Sequence, residues 1–254
     1  MALLRVTGVA KSFGGVRAVD DVSFRVEQGM IKAIIGPNGA GKTTLFNMVS
    51  GFVVPDRGTV EFDGHAIQGR PPHRVAACGV SRTFQHIKLF GQMSALDNVM
   101  VGRHLRSRAG FLAGMLRLPW SRREQDEARA RALELMDFLG IAGLADAEAT
   151  SLAYGQQRAV ELARALACEP RMVLLDEPAA GLNMRETADL AKLIGRIRDR
   201  GVTVLLVEHD MTLVMGISDE VAVLSYGEKI ADADPGTVQK DPQVVKVYLG
   251  DEEC

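Results

Sequence analysis

Eight consecutive residues, Gly36-Pro37-Asn38-Gly39-Ala40-Gly41-Lys42-Thr43, fit the pattern G-x-x-x-x-G-K-S/T; Thr44 follows them, and the run Ile31 to Ile35, apolar but for Lys32, precedes them. The order predicts a strand, a loop that wraps phosphate, and a helix starting near Lys42. Glycines at 36, 39 and 41 let the backbone take positive φ and bring several N–H groups close to an anion. Lys42 adds a point charge for the outer phosphates, Thr43 a hydroxyl for Mg²⁺, and the helix N-terminus a partial positive charge. The chemistry implied is binding of a nucleoside triphosphate.

A second cluster complements the first. Met172-Val-Leu-Leu-Asp176-Glu177 reads as a buried strand ending in two adjacent carboxylates, the place where a phosphate-loop enzyme holds Mg²⁺. Asp176 would serve the metal. Glu177, one residue further, would face the other way and polarise a water for attack on the γ-phosphate.

The elements that must position these groups are legible from apolar spacing. Strand-like segments run Leu3 to Val9, Val22 to Val26, Ile31 to Ile35 and Thr59 to Phe62, separated by glycines and a Pro55-Asp-Arg-Gly58 turn. From about Ser94 to Leu166 the spacing is helical, with Ser121-Arg-Arg-Glu124 expected as a capping box. Apolar runs at Met172 to Leu175, Val202 to Val207 and Val221 to Leu224 then alternate with helical segments. This alternation predicts a mainly parallel sheet covered on both faces, with a helical subdomain inserted in its middle third.

The chain has 254 residues, 47% of them hydrophobic, and a net charge of −2, so a sizeable core is expected and nucleic acid is not expected as a partner. Cys78, Cys168 and Cys254 are widely spaced and suggest neither a disulfide framework nor a zinc site, which fits a reducing cytosol. Met1 to Val6 lead directly into a strand pattern rather than a signal peptide, and no apolar run approaches the ~20 residues of a membrane span.

Leu152-Ala-Tyr-Gly-Gln156-Gln-Arg158 resembles the signature motif of ATP-binding cassette (ABC) ATPases, usually Leu-Ser-Gly-Gly-Gln. Other landmarks occur in the family's order. Phe13 resembles the aromatic that stacks on adenine, Gln85 the Q-loop glutamine, Ala180-Gly-Leu-Asn183 the D-loop and His209 the switch histidine. The resemblance spans residues 3 to 250 and implies an α/β fold: a P-loop NTPase (RecA-like) core, an antiparallel β subdomain and an inserted α-helical subdomain. It implies a single ABC ATPase domain over 1–254, with 1–85 and 167–254 as nucleotide-binding core and 86–166 as helical signature subdomain.

By the same resemblance the cofactors are ATP and Mg²⁺. Catalytic roles fall to Glu177, His209 and Gln85. Nucleotide contacts fall to Phe13, the loop from Gly36, Pro37, Asn38, Gly39, Ala40 and Gly41 through Lys42, Thr43 and Thr44, and Gly155 and Gln156. Metal contacts fall to Thr43, Gln85 and Asp176. ATP would be sandwiched between the phosphate loop of one subunit and the signature helix of another. Three departures stand out: Ala153 replaces the usual Ser, Tyr154 a Gly, and Asn183 an Asp.

The Leu-Ala-Tyr-Gly-Gln variant, Arg82-Thr-Phe-Gln-His86 and the ending Val247-Tyr-Leu-Gly250 are similar to the ATPase subunits of branched-chain amino acid importers. Relatives that carry urea, short amides or aromatic acids share much of the pattern, and a soluble non-transport ABC ATPase is the alternative from another class. The importer resemblance implies a peripheral protein at the cytoplasmic face of the inner membrane. Its partners would be membrane-spanning permease subunits, a second, non-identical ATPase subunit and, indirectly, a periplasmic binding protein. The segment 103–131 holds eight arginines against three acids together with Phe111, Leu112, Met115, Leu116, Leu118 and Trp120, a composition that suits a membrane face. The stretch after Gln85, through Phe90 and Met93, is the expected dock for a permease helix.

Overall fold

The computed structural model describes residues 2–106 and 119–249. The first elements are β1 (Ala2–Phe13), β2 (Val16–Glu27), β3 (Ile31–Ile35), α1 (Lys42–Val49), β4 (Arg57–Phe62), β5 (His65–Ala66), α2 (Pro72–Ala77) and β6 (Val80–Arg82). Helices α3 (Ala95–Gly102), α4 (Pro119–Phe138) and α5 (Tyr154–Ala167) follow. The chain continues through β7 (Met172–Asp176), α6 (Met184–Asp199), β8 (Thr203–Val207), α7 (Met211–Ile217), β9 (Glu220–Ser225), β10 (Glu228–Ala233), α8 (Pro235–Val238) and α9 (Pro242–Leu249). Contacts divide it into two compact units, residues 1–82 with 171–254, and residues 83–170.

The first unit holds two sheets. One is four-stranded and antiparallel, in the order β2-β1-β4-β5; the other is six-stranded, in the order β10-β9-β3-β8-β7-β6, and parallel except for β10 against β9. Every residue of β3, β7 and β8 is buried, which is why these strands, Lys32 apart, read as near-continuous apolar runs rather than alternating ones. Side chains of both sheets meet in one core, where Leu4, Val6, Val22 and Val60 join Ile34, Phe46, Leu174 and Leu205.

Strands β6 and β10 were not expected. They are the two edges of the large sheet, one of three residues and the other carrying Glu228, Lys229 and Asp232. Shortness and charge protect an edge from pairing with another chain and erase its periodicity in sequence.

The second unit packs α3, α4 and α5 around Leu96, Val99, Ala132, Met136, Val160 and Ala163. The capping box expected at Ser121 is not there, because α4 already runs through Ser121 from Pro119. The cap instead occurs at Ser94, whose Oγ accepts from the Asp97 N–H at 3.0 Å and opens α3. Much of the basic segment 103–131, including Phe111, Leu112, Met115, Leu116 and Leu118, lies outside the described residues. Within them, Arg103 pairs with Glu169 at 2.8 Å and Arg131 with Glu134 at 2.7 Å. Part of that segment's arginine excess is therefore balanced by acids beyond its ends.

Lys32, in the middle of β3, is 1% exposed and ion-paired to Glu220 of β9 at 2.8 Å and to Asp232 of β10 at 2.6 Å. It holds the antiparallel edge onto the parallel sheet. The two acids reach solvent and the lysine does not, so the partners are not equivalent. Replacing both acids (Glu220→Gln with Asp232→Asn) strands a buried cation, a class of change that costs about 3–5 kcal/mol. Lys32→Met leaves no buried cation: Glu220 keeps 36% of its side chain in solvent and Asp232 stays paired with Lys229 at 2.9 Å, so this change should cost less; urea unfolding of the two variants checks this ordering.

Candidate functional site

Val207, the last residue of β8, pairs with Ile34 of β3 on one side and with Asp176 of β7 on the other. The turns after these three neighbouring strands therefore leave the sheet at one carboxyl edge, where ligands bind in open parallel sheets. They contain the Gly36–Gly41 loop, the Asp176-Glu177 pair and Glu208-His209. The sheet order thus brings together groups separated by more than a hundred residues in the chain.

The loop is tightly packed from behind. A Cβ on Gly36 would stand 2.1 Å from the Leu224 carbonyl oxygen, and one on Gly41, whose φ is +99°, would stand 2.3 Å from the Ala18 carbonyl oxygen. Both positions therefore require glycine. The Ala40 carbonyl accepts from the Gly227 N–H at 3.1 Å, tying the loop to the turn between β9 and β10. Gly41 starts α1 without a side-chain cap, and the first helical bond runs from the Leu45 N–H to the Gly41 carbonyl at 2.9 Å. The N–H groups of Lys42, Thr43 and Thr44 precede that bond and form the positive end of the helix. Lys42 is 8% exposed, and its Nζ donates to the carbonyls of Gly36 at 2.6 Å and Pro37 at 2.9 Å. Burial holds this ammonium below the ordinary lysine range, while Glu177 and Asp176 pull it back up.

Asp176 is buried at the end of β7, and its Oδ2 accepts from Arg82 at 2.7 Å. Glu177 follows with φ +46°, a left-handed conformation uncommon outside glycine. The Glu177 N–H donates to the Val207 carbonyl at 2.9 Å. Glu208 is fully buried. One carboxylate oxygen accepts from the Ala179 N–H at 2.7 Å, the other from the His209 N–H at 3.0 Å, joining the turn that carries Glu177 to the turn that carries His209. The His209 ring itself is exposed. Sequence reasoning passed over both Arg82 and Glu208 as site residues. The available signal for Glu208 was an acid placed directly between an apolar strand and His209.

Phe13 ends β1 at the Gly14-Gly15 turn with 49% of its surface exposed, and the Lys11 ammonium lies 5.6 Å from its ring centre. An exposed aromatic there is not core. Tyr248 of α9 reaches the first loop residue: burial pushes its hydroxyl up to about 12, and the Gly36 backbone offers it a hydrogen bond.

The second unit carries Gln85 and the signature segment. Gln85 is exposed, and Arg158 of α5 donates to the carbonyls of Phe84 at 2.8 Å and Gln85 at 3.2 Å. Arg158 also pairs with Glu161 at 3.1 Å, and burial raises the Glu161 carboxyl against the pull of Arg158. Helix α5 begins at Tyr154 with Ala153 as its cap. The Gln156 side chain accepts from the Ala153 N–H at 3.0 Å, but alanine has no oxygen to return that bond. Gly155 and Gln156 thus lie in an uncapped first turn. Asn183, in the first unit, does the reverse: its Oδ1 accepts from the N–H groups of Arg185 and Glu186 at 3.0 Å, so the amide serves as the cap of α6. Phe90 is 52% exposed, on a turn that Asn98 holds through its bonds to the Phe90 backbone.

Comparison with known proteins agrees with this arrangement. The ABC transporter family profile matches residues 19–180, and the profile described as branched-chain amino acid ATP-binding cassette transporter matches residues 228–254. The high-affinity branched-chain amino acid transport ATP-binding protein BraF of Pseudomonas aeruginosa is 46% identical over 98% of both chains. The protein LivG of Escherichia coli, with the same descriptive name, is 42% identical over 98% of both. The crystal structure of the ADP conformation of MJ1267, an ATP-binding cassette of an ABC transporter, superposes with a TM-score of 0.85 at 32% identity, covering 98% of this chain and 99% of that one. The chain belongs to the ATP-binding cassette family of ABC transporters. It is an ATPase whose α/β fold is that of the P-loop NTPases.

The packing behind the loop gives a test. Gly39 has φ +82° but open space around it, so Gly39→Ala should cost only the left-handed penalty of about 1–2 kcal/mol. Gly41→Ala adds a collision with backbone and should lose both stability and nucleotide binding, as thermal melting with and without ATP will show.

Proposed function

We propose that this chain is the ATP-hydrolysing subunit of an importer for branched-chain amino acids. The observation that carries the chemistry is the joint exit of the phosphate loop, Asp176-Glu177 and His209 from three adjacent strands. The cargo follows from the names of the relatives and from the profile matched by residues 228–254. In this reading residues 1–85 and 167–254 form the nucleotide-binding core and 86–166 the signature-bearing part.

Gly36 to Gly41 cradle the β- and γ-phosphates with backbone N–H groups. Lys42 leaves its own loop carbonyls for the phosphate oxygens, which compensate the cost of its burial. Glu177 accepts a proton from the attacking water as the bond to the γ-phosphorus forms and the bond to the ADP oxygen breaks. His209 stands at the γ-phosphate, and Phe13 offers its exposed face to adenine. Thr43 and Asp176 would hold Mg²⁺. They supply a hydroxyl and a carboxylate, and the described residues contain no cluster of three or more His, Cys, Asp or Glu that would suit an all-protein metal cage. Such a donor set fits a small hard cation that keeps waters and phosphate oxygens as ligands. When bound, Mg²⁺ would neutralise charge on the phosphates. For Gln85 the proposal rests on the sequence resemblance.

The uncapped first turn of α5 suits an anion, and we assign Gly155 and Gln156 to the γ-phosphate held by a second, non-identical ATPase subunit. None of the described helices is long and apolar enough to cross a membrane. Passage of the amino acid would fall to permease subunits, which this chain would meet at the cytoplasmic face through the Phe90 region, with a periplasmic binding protein delivering the cargo.

Glu177→Gln keeps shape and loses basicity. It should bind ATP as the parent does and hydrolyse it ~10²–10⁴-fold more slowly. In cells lacking the native gene, the parent should restore leucine uptake and Glu177→Gln should not; restoration by the variant would contradict the assignment. Lys42→Met removes a buried ammonium, so the nucleotide-free protein should melt no lower than the parent. It should lose the stabilisation by saturating ATP, about 2.7 kcal/mol at a hundredfold excess over Kd.

A further inference from the structure

Arg82 is the last residue of the first unit and of the edge strand β6. Register pairs it with Leu174, two residues before Asp176, so period-two alternation puts the side chains of Arg82 and Asp176 on the same face of the sheet. Helix α1 covers that face. The guanidinium is 8% exposed and bonds three groups at 2.7 Å each: the Asp176 carboxylate, Asn47 Oδ1 and Ser50 Oγ. The Ser50 hydroxyl donates in turn to the Phe46 carbonyl at 2.6 Å, which leaves its oxygen to accept from Arg82. The rings of Phe46 and Phe52 each lie 5.7 Å from the guanidinium carbon. The planar fork is thus fixed by acceptors from α1 and β7 and by aromatic neighbours, a geometry that a lysine point charge cannot reproduce.

Stability alone does not account for this cluster. Burying an ion pair takes two charges out of water, and well-packed apolar residues of the same volume are often as stable or more so. What the pair supplies is orientation. Asn47 stands on the helix that carries Lys42 and Thr43 and Ser50 caps its C-terminal end, so Arg82 ties the carboxylate at the end of β7 to the helix that begins at the phosphate loop.

We propose that Arg82 is the positioning residue for Asp176: through its bonds to Asn47 and Ser50 it sets where the Asp176 carboxylate stands relative to Thr43, and hence how well the pair receives Mg²⁺ with the nucleotide. This rests on the assignment of Thr43 and Asp176 to the metal made above. Groups that hold a metal-binding carboxylate typically contribute 10–100-fold to metal affinity.

The test compares the full-length parent with Arg82→Lys, Arg82→Met and Asn47→Ala. Affinity for a fluorescent ATP analogue is measured with Mg²⁺ and with EDTA, and Mg²⁺ is titrated into the ATPase assay of the assembled transporter. The parent should bind the analogue more tightly with Mg²⁺. In Arg82→Lys and Arg82→Met the EDTA affinity should match the parent, the gain from Mg²⁺ should shrink, and the Mg²⁺ for half-maximal ATPase should rise by about 10-fold or more. Asn47→Ala, which leaves Arg82 and Asp176 intact, should shift the same quantities less and decides the matter if the Arg82 variants do not fold. Folded variants with the parent's Mg²⁺ gain, whatever their melting temperature, would overturn the role of Arg82 alone. A parent with no Mg²⁺ gain would overturn the metal assignment of Asp176 as well.

Discussion

One residue's backbone constrains the whole site. Val207 is hydrogen-bonded into β3 on one side and β7 on the other, which fixes β8 between the strand that precedes the phosphate loop and the strand that ends in Asp176. With that order set, the loop, the two carboxylates and His209 must emerge at the same edge, because parallel strands end together. A slip of β8 by one residue would shift Glu208 by about 3.3 Å along the strand and carry it out of reach of the Ala179 N–H. The apolar runs that make these strands core are therefore also what aligns the chemistry.

The same edge concentrates charge where water is scarce, and each charge is held differently. Lys42 rests on the carbonyls of its own loop, an arrangement that a phosphate can displace. Asp176 is held by Arg82, and Glu208 by backbone N–H groups on two turns. The glycine loop is pressed against Leu224 and Ala18, so it is shaped by the rest of the unit rather than by ligand. These features describe a site organised in advance, in which the cost of orientation falls on folding rather than on each catalytic cycle.

How much of this was legible in the sequence varied with the kind of interaction. The phosphate loop, its preceding strand and the run into Asp176 were visible because glycine spacing and fully buried strands leave strong local patterns. The edge strands β6 and β10 left none, being short or charged. Ser121-Arg-Arg-Glu124 matched a capping pattern but lay inside a helix, while the working cap was Ser94. Pattern without the helix start is ambiguous, since serine also occurs in first turns. Arg82 and Glu208 were hidden for another reason: their partners, Asp176 with Asn47 and Ser50, and Ala179, are brought to them only by the sheet order. Ala153, which stands where the signature usually has Ser, emerges in the structure as an uncapped helix start.

The central claim is that the turns at this edge form one site for the β- and γ-phosphates of ATP. Calorimetric titration of the purified full-length chain with ATP, ADP and AMP in the presence of Mg²⁺ tests it most directly. The account predicts binding of ATP and ADP and no comparable binding of AMP, which has neither the β- nor the γ-phosphate that the loop from Gly36 to Thr44 would hold. Equal affinity for AMP, or none for any of the three, would contradict it.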